Sequence, residues 1–181
     1  LTERLFAGKQ AVADSFVNPL DWVHSGDLPT YPHDAGRATA LLDAAGWTEI
    51  RQGIRHNAEG KPLSMELMTT AGNRTRELVQ QVLQSQWKAV DVRINNQPAR
   101  VFFGETMSKR RFSSMGMYAW MSAPENVPRT TQHSSMIPAD DNGWSGQNYP
   151  GYVNAEADRL IDAIEVELDR DKRAGMWAEL Q

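Results

Sequence analysis

Serine and histidine are the residue types in this chain that would first point to catalysis, and their spacing decides whether they could act together. The stretch Gly143-Trp144-Ser145-Gly146 approximates a nucleophile elbow, which exposes a serine on a tight strand-to-helix turn for acyl transfer. That motif requires G-x-S-x-G, and here the second glycine comes one residue early. A stand-alone hydrolase or other enzyme therefore remains only as the alternative function, and we predict no catalytic residue.

The sequence also lacks the motifs that bind metal ions or nucleotides. The four histidines lie at positions without an H-x-x-x-H or H-E-x-x-H spacing, so no helix face would present two of them. Asp140 and Asp141 are adjacent, and adjacent side chains diverge, which favours a solvated turn over a cation site. No G-x-G-x-x-G stretch occurs. We therefore predict neither a metal site nor a cofactor.

Composition limits the class of partner. The chain has 181 residues, which predicts one domain or a large fragment, and a formal net charge of −4 with both signs interspersed. No basic stripe appears, so nucleic acid and anionic membrane surfaces are not expected partners. Cysteine is absent, which excludes disulfides, thiol nucleophiles and cysteine-ligated zinc. No apolar run approaches the length of a membrane span.

The stretch GWSGQNYPGY, residues 143–152, combines three glycines, three aromatic rings and no charge. Glycine permits left-handed backbone turns, and a charge-free loop is cheap to dehydrate. We predict that Tyr149 and Tyr152 pack against the body of the domain near Trp120, and that Trp144 lies nearer a cleft or a surface where two domains meet. The competing interpretation is a satellite core under the loop and nothing more.

Regular elements predicted in the first half of the chain would form an α/β unit. Asp34 caps a helix that ends before Gly46, and its apolar positions share one face: Ala38, Leu41, Leu42 and Ala45. A turn at 57–60 precedes a half-buried strand in which Leu63, Met65 and Leu67 alternate with polar residues. A helix capped by Asn73 and a strand at 92–95 then complete a βαβ unit.

The second half is predicted to alternate short elements with one long irregular stretch. Pro98 opens a short helix that runs through Met107, and residues 112–120 read as a strand. After the irregular stretch 121–153, Asn154 caps a helix with an apolar stripe. That stripe comprises Leu160, Ile161, Ile164 and Leu168. A last helix carries Met176, Trp177 and Leu180.

Several segments in this order resemble one protein family. They are YPHDAGRATALLDAAGW, GIRHNAEGKPLSMELMTTAGNRTRELVQQVLQSQWKAVDVRIN, the strand that ends at Trp120, and NYPGYVNAEADRLIDAIEVELDRDKRAGMWAELQ. The family is the extracellular solute-binding proteins of bacterial peptide ABC importers (the oligopeptide and dipeptide binders, family 5). The resemblance extends from about Thr30 to Gln181 and is weaker before that.

The resemblance implies a fold and a domain organisation. Proteins of this family have two α/β lobes joined by a hinge, with ligand enclosed between them. The chain is accordingly expected to be one such lobe, of class II periplasmic-binding-protein type, with a mixed sheet flanked by helices. Residues 1–181 are expected to form a single domain, a fragment from the middle-to-C-terminal part of a larger protein.

The resemblance also implies a site. In the family, a strand ending in Trp leads into a segment that pairs with the peptide backbone and usually carries an Asp for the ligand's α-ammonium. Trp120 matches the Trp, Met121 and Ser122 fall at the pairing positions, and Ala123 falls where the Asp is expected. Glu125 is the one neighbouring acid. The predicted ligand-binding residues are Trp120, Met121, Ser122, Ala123, Trp144 and Asn148.

Partners and location follow from the same resemblance. The expected partners are a small solute, the remaining lobe of the same protein and the permease subunits of an ABC importer. The protein is expected outside the cytoplasmic membrane and associated with it through a signal or lipoprotein segment outside this chain. The ligand stays open between a peptide, a metal chelate and a sugar, because the family has spread to all three.

Overall fold

The structure is a computed structural model that describes residues 2–121, 123 and 126–181. In chain order the helices are α1 (Thr2–Phe6), α2 (Ala35–Ala44), α3 (Arg74–Gln86), α4 (Ala99–Val101), α5 (Arg129–Gln132), α6 (Ala155–Val166) and α7 (Arg170–Leu180). The strands are β1 (Glu49–Arg51), β2 (Ile54–His56), β3 (Ser64–Thr70), β4 (Asp91–Gln97) and β5 (Met115–Met117). A π-helix at Phe102–Met107 follows α4, and 3-10 turns lie at Ser134–Met136 and Asp140–Asn142. No helix among these residues is long and apolar enough to cross a membrane.

Contacts divide the chain into two compact units. The sheet unit comprises Pro32–Gly104 and Phe112–Ala119, and the helical unit comprises Leu1–Tyr31, Glu105–Arg111 and Trp120–Gln181. The chain passes between them more than once, because each unit is built from separate stretches of sequence. That the whole forms one domain, a single lobe, stays a prediction.

The sheet unit is built around β3. Its three-stranded sheet has the order β4-β3-β5, and both neighbours run parallel to β3, with Leu67 opposite Ile94 on one side and Met115 on the other. The parallel pairing of β3 and β4 across α3 confirms the predicted βαβ unit. Among the described residues, antiparallel pairing joins β1 to β2, a hairpin that the sequence did not reveal, and joins His56 to Pro62 in an isolated bridge. The α/β class is confirmed.

The second half of β3 is buried on both faces. Leu67, Met68, Thr69 and Thr70 are all buried, whereas the pattern before them predicted a strand buried on one face only. A central parallel strand is covered on both faces, so alternation fades there. Thr69 tolerates this position because its hydroxyl donates a hydrogen bond to the carbonyl of Met117 at 2.7 Å.

Local signals placed the helix starts correctly. The Asn73 side chain accepts a hydrogen bond from the Arg76 amide at 3.1 Å, which caps α3, and Asp34 accepts one from Arg37 at 2.8 Å, which caps α2. The left-handed Gly46, with φ +87°, follows α2 as predicted. The predicted apolar face of α2 is not buried in this structure. No residue of α2 is buried, and Leu41 is 61% exposed.

The helical unit is centred on α6 and α7. Its buried core contains Val17, Val23, Ile164 and Trp177. The predicted stripe of α6 is confirmed at Leu160, Ile161 and Ile164. The prediction for Leu168 is wrong, since α6 ends at Val166 and Leu168 is 92% exposed. Glu167 leaves the helical conformation, with ψ 125°, which turns the chain away from the core.

A short helix and a π-helix follow β4 along the chain. The helix opening at Pro98 is confirmed, and it changes from α to π geometry at Phe102, whose side chain is fully buried. Within the sheet unit, the Phe102 ring contacts those of Phe103 and Tyr118, with centroids at 5.0 and 6.0 Å. The predicted strand 112–120 is shorter than expected, and Trp120 follows its last residue, Met117, by three positions.

Candidate ligand-binding site

The predicted backbone-pairing segment is exposed. Trp120 is 44% exposed, Met121 is fully exposed, and Ala123 is exposed as well. Ser122, like Glu125, lies outside the described residues. Along the sequence the segment begins three positions after Met117, the last residue of β5. An exposed tryptophan and methionine provide apolar contact area for a ligand.

Trp120 is supported by Tyr149. The two ring centroids are 6.4 Å apart with an interplanar angle of 47°, a tilted aromatic contact. Tyr149 is only 5% exposed, and burial raises the pKa of its phenol above the ordinary value. The predicted packing of Tyr149 near Trp120 is confirmed. The pair therefore combines a buried ring with one that stays accessible.

Glycines allow the loop 143–152 to fold closely against its own unit. Gly143 and Trp144 both have left-handed backbones, with φ +65° and +62°, and the Trp144 amide donates to the carbonyl of Ala139 at 2.8 Å. Gly146 has φ +95°, and a Cβ there would lie 2.1 Å from the carbonyl oxygen of Met136. Only glycine fits this close approach of two backbones.

The buried side chain of Asn148 holds the same loop by hydrogen bonds to backbone groups. Its side chain is fully buried, and its amide nitrogen donates to the carbonyls of Gln132, His133 and Tyr152 at 3.2, 3.1 and 2.8 Å. Its amide oxygen accepts a hydrogen bond from the Tyr152 backbone at 2.9 Å. Each hydrogen-bonding group of this side chain thus has a backbone partner. Asn148 holds the loop to residues 132–133, and its predicted contact with ligand stays a prediction.

Residues 129–134 are in turn anchored on α6. Arg129 donates to Glu165 at 2.8 Å and also pairs with Asp162, and these hydrogen bonds raise the Arg129 pKa and lower that of Asp162. The Ser134 amide donates to Asp158 at 2.9 Å, and the Ser134 hydroxyl donates to it as well.

Burial opposes ionisation of Asp158, but the two bonds from Ser134 and the nearby His133 and Arg129 lower its pKa below the ordinary value. The carboxylate is therefore a firm acceptor. The anchoring sequence runs from α6 through residues 129–134 and Asn148 to the loop that carries Tyr149.

The remaining aromatic residues of the loop behave differently from Tyr149. Tyr152 is 44% exposed, so the prediction that it is buried against the body of the domain near Trp120 is wrong. Its backbone, rather than its ring, is held in place, by Asn148. Trp144 is half-buried, and its proximity to a ligand stays a prediction.

Sequence reasoning missed Arg110. Its guanidinium Nε donates to the carbonyl of Tyr149 at 3.0 Å, which ties residue 110 to the loop 143–152. No pattern in the basic run 109–111 distinguishes Arg110 from its neighbours. Among the described residues, no group of three or more His, Asp or Glu side chains is placed to hold a metal ion.

Comparison with known families decides the class of protein. The family profile described as "Bacterial extracellular solute-binding proteins, family 5 Middle" matches residues 1–155 of this chain. The chain belongs to the family 5 solute-binding proteins. This confirms the family resemblance, and the match also includes the residues before Thr30, where the resemblance is weaker.

Individual family 5 proteins are similar over nearly the whole chain. The oligopeptide-binding protein AppA of Bacillus subtilis (strain 168) is 28% identical over 185 residues, which cover 99% of this chain and 33% of that protein. The oligopeptide binding protein from Thermus thermophilus, solved with a pentapeptide, has a TM-score of 0.90 and 28% identity, over 99% of this chain and 32% of its own.

Two further structures widen the comparison. AppA from Bacillus subtilis, solved with a nonapeptide, has a TM-score of 0.83 and 25% identity, over 99% of this chain and 35% of its own. NikZ from Campylobacter jejuni, in complex with Ni(L-His), has a TM-score of 0.80 at 21% identity, over 99% and 35%, which shows the fold alone. This chain spans about a third of the length of these relatives. The predicted fold class, a periplasmic-binding-protein-like lobe, is confirmed by the matches.

Proposed function

We propose that this chain is the middle-to-C-terminal lobe of a two-lobe substrate-binding protein of an ABC importer. The protein binds peptide-like solutes in the cleft between its lobes and delivers them to the permease in the membrane. It works outside the cytoplasmic membrane, held there by a segment outside this chain, and it is not an enzyme. Family membership and the similarity to two peptide-bound structures support this proposal.

The observation that carries the proposal is the exposed Trp120, three positions after the last residue of β5 along the chain, on its buried support Tyr149. A half-exposed aromatic ring held by a rigid neighbour is pre-organised, so little side-chain freedom is lost when a ligand covers it. Residues 120–123 then offer their backbone to an extended peptide, a strand-addition mode of binding whose hydrogen bonds do not depend on peptide sequence. Trp144 and Asn148 complete the proposed contact set.

The hydrolase alternative depends on Gly143–Gly146 alone. In the structure this stretch forms a tight turn with two consecutive left-handed residues, and Ser145 donates its backbone amide to the side chain of Asn142 at 3.2 Å. Its relatives named above are binding proteins, which argues against the alternative.

The first prediction tests Trp120 directly. In the full-length protein, Trp120→Ala is expected to weaken binding of penta-alanine by about 30-fold, because aromatic residues at the centre of an interface typically contribute about 2 kcal/mol or more. The melting temperature should change little, since the ring is 44% exposed. Isothermal titration calorimetry and thermal unfolding measure the two effects.

Trp87→Ala is the matched control. Trp87 is 37% exposed, close to the value for Trp120, but it lies at the end of α3 in the sheet unit. It should leave peptide affinity unchanged. Equal affinities for Trp120→Ala and Trp87→Ala would remove Trp120 from the binding site.

The second prediction concerns the ligand's amino terminus. A charge-assisted hydrogen bond to an ammonium contributes ~1.5–3 kcal/mol, and Ala123 offers no carboxylate where the family usually has one. The full-length protein is therefore expected to bind N-acetyl-penta-alanine and penta-alanine within about threefold of each other. Competition between the two peptides measures this. A preference above about tenfold for the free amine that survives Glu125→Gln, with no acid supplied by the other lobe, would refute it.

A further inference from the structure

Arg110 connects two segments that the sequence separates by almost forty residues. Its Nε donates to the carbonyl oxygen of Tyr149 at 3.0 Å, and both residues belong to the helical unit. We propose that Arg110 is a positioning residue of the ligand-binding site, acting as a clamp on residues 149–151 that holds the Tyr149 ring under Trp120. The inference rests on the proposed function, because it assigns Arg110 a part in the same site.

The absence of a side chain at Gly151 leaves room for the Arg110 guanidinium. A Cβ at Gly151 would lie 2.1 Å from the terminal nitrogen Nη2 of Arg110 and 2.9 Å from its central carbon Cζ. Any other residue at 151 would therefore displace the guanidinium. Gly151 also has φ +75°, and its amide donates to the Asn148 carbonyl at 3.1 Å, so the loop turns tightly where the guanidinium lies.

The backbone of Arg110 is held in an unusual conformation. Its φ is +51°, in the left-handed region that non-glycine residues rarely adopt. Two hydrogen bonds that close the π-helix hold this turn: the Arg110 amide donates to Met107 at 3.0 Å and the Arg111 amide donates to Thr106 at 2.8 Å. A non-glycine residue persists in such a conformation when its surroundings over-determine it, and such positions concentrate at functional sites.

Tyr149 connects Arg110 to Trp120, because it contacts both residues. Tyr149 contributes its carbonyl oxygen to Arg110 and its ring to Trp120, with the ring centroids 6.4 Å apart. The residue before Tyr149, Asn148, is held independently of Arg110, through backbone groups of residues 132–133 and 152. Release of Arg110 therefore removes one hydrogen bond from Tyr149 while the loop stays attached at Asn148.

The first part of the test is a stability cycle in the full-length protein. Arg110→Ala and Gly151→Ala remove the same clamp, so the double variant should be little less stable than Gly151→Ala alone, which already carries the left-handed strain at φ +75°. Gly146→Ala is the matched control, because its Cβ meets the Met136 carbonyl and not Arg110. Its effect should add to that of Arg110→Ala. Additivity in both pairs would overturn the clamp.

The second part is a spectroscopic readout of aromatic packing, made specific to Trp120 by comparison with a Trp120→Phe background. Arg110→Ala should change the near-ultraviolet circular dichroism of the full-length protein, and the same substitution in a Trp120→Phe background should change it far less. The matched control is Arg111→Ala, which removes an adjacent positive charge whose side chain is 68% exposed. It should leave the spectrum unchanged. An Arg110→Ala spectrum that matches the parent protein would overturn the proposal.

The third part separates this inference from the proposed function. Arg110→Ala and Gly151→Ala should each weaken penta-alanine binding by about 5- to 10-fold, and Arg111→Ala should not. If Trp120→Ala binds penta-alanine normally, the proposed site is wrong while the first two parts still decide whether the clamp exists. If Trp120→Ala loses binding and Arg110→Ala keeps both affinity and spectrum, the site stands and the clamp is wrong.

Discussion

Replacing Asn148 with aspartate is expected to destabilise the protein by about 4 kcal/mol at neutral pH, because it places an unpaired charge in a buried site. The amide nitrogen that donates to the carbonyls of Gln132, His133 and Tyr152 would become an oxygen facing three acceptors. The site is fully buried, so water cannot solvate the new charge without opening the loop. Chemical denaturation measures the loss.

The same variant should regain stability in acid. Burial and the facing carbonyls hold the pKa of a carboxyl at this position above its value of about 3.9 in the unfolded chain. The folded state therefore binds the proton more tightly, and the difference from the parent protein shrinks as the pH falls toward the unfolded value. A pH-independent loss would contradict the burial of charge as its cause.

Asn142→Asp is the matched control for this prediction. The Asn142 side chain also brackets a turn, accepting from Ala139 and Ser145 at 3.0 and 3.2 Å and donating to Ile137 at 2.8 Å, but it is exposed. Water can replace a lost partner there, so we expect a loss of about 1 kcal/mol. Equal losses at 142 and 148 would show that burial does not set the energy.

Gly146→Ala is expected to destabilise the protein by roughly 2–4 kcal/mol. The new Cβ would lie 2.1 Å from the Met136 carbonyl oxygen and 2.7 Å from its carbonyl carbon. Both are backbone atoms, which cannot swing aside as the end of a flexible side chain does. Overpacking costs ~1–3 kcal/mol and the left-handed backbone about 1 kcal/mol more, and the midpoint of denaturation reports the sum.

Gly143→Ala isolates the backbone contribution in that prediction. Gly143 has a similar left-handed φ of +65°, but a Cβ there would meet nothing within 4 Å. We expect a loss of only about 1 kcal/mol. If Gly143→Ala and Gly146→Ala destabilise equally, the close approach of the loop to Met136 is wrong.

Features set by neighbouring residues were predictable from the sequence. Asn73 and Asn154 mark helix starts because a side-chain oxygen satisfies amides two or three residues on, which is a purely local matter. The turn at 57–60 is confirmed for the same reason, with the Asn57 side chain accepting from Lys61 at 2.9 Å. Spacing alone also identified the buried stripe of α6.

Features set by distant contacts were not predictable. Gln80 is the one fully buried residue among those described in α3, because its amide nitrogen reaches the Leu67 carbonyl at 2.8 Å, and no periodicity rule selects a glutamine for the core. Leu168 and Tyr152 are apolar or aromatic and yet exposed, because each follows a change of chain direction that spacing does not show.

The candidate site, too, contains residues that the sequence identified and residues that only the structure identified. Trp120 was selected through resemblance to the family, and the spacing of residues around it would have selected only a strand. The Asn148 side chain binds a carbonyl 16 residues away, and Arg110 binds one 39 residues away. Only tertiary structure brings such distant segments together.

The most direct test of the account compares peptide binding by this chain with binding by the full-length protein. Calorimetric titration with penta-alanine should show that the isolated 181 residues fold but bind at least about 100-fold more weakly than the full-length protein. One lobe offers only part of the wall that covers roughly 70–90% of a bound ligand in a typical site, and closure of two lobes supplies the rest. Binding by the isolated chain as tight as that of the full-length protein would contradict a ligand site shared between two lobes.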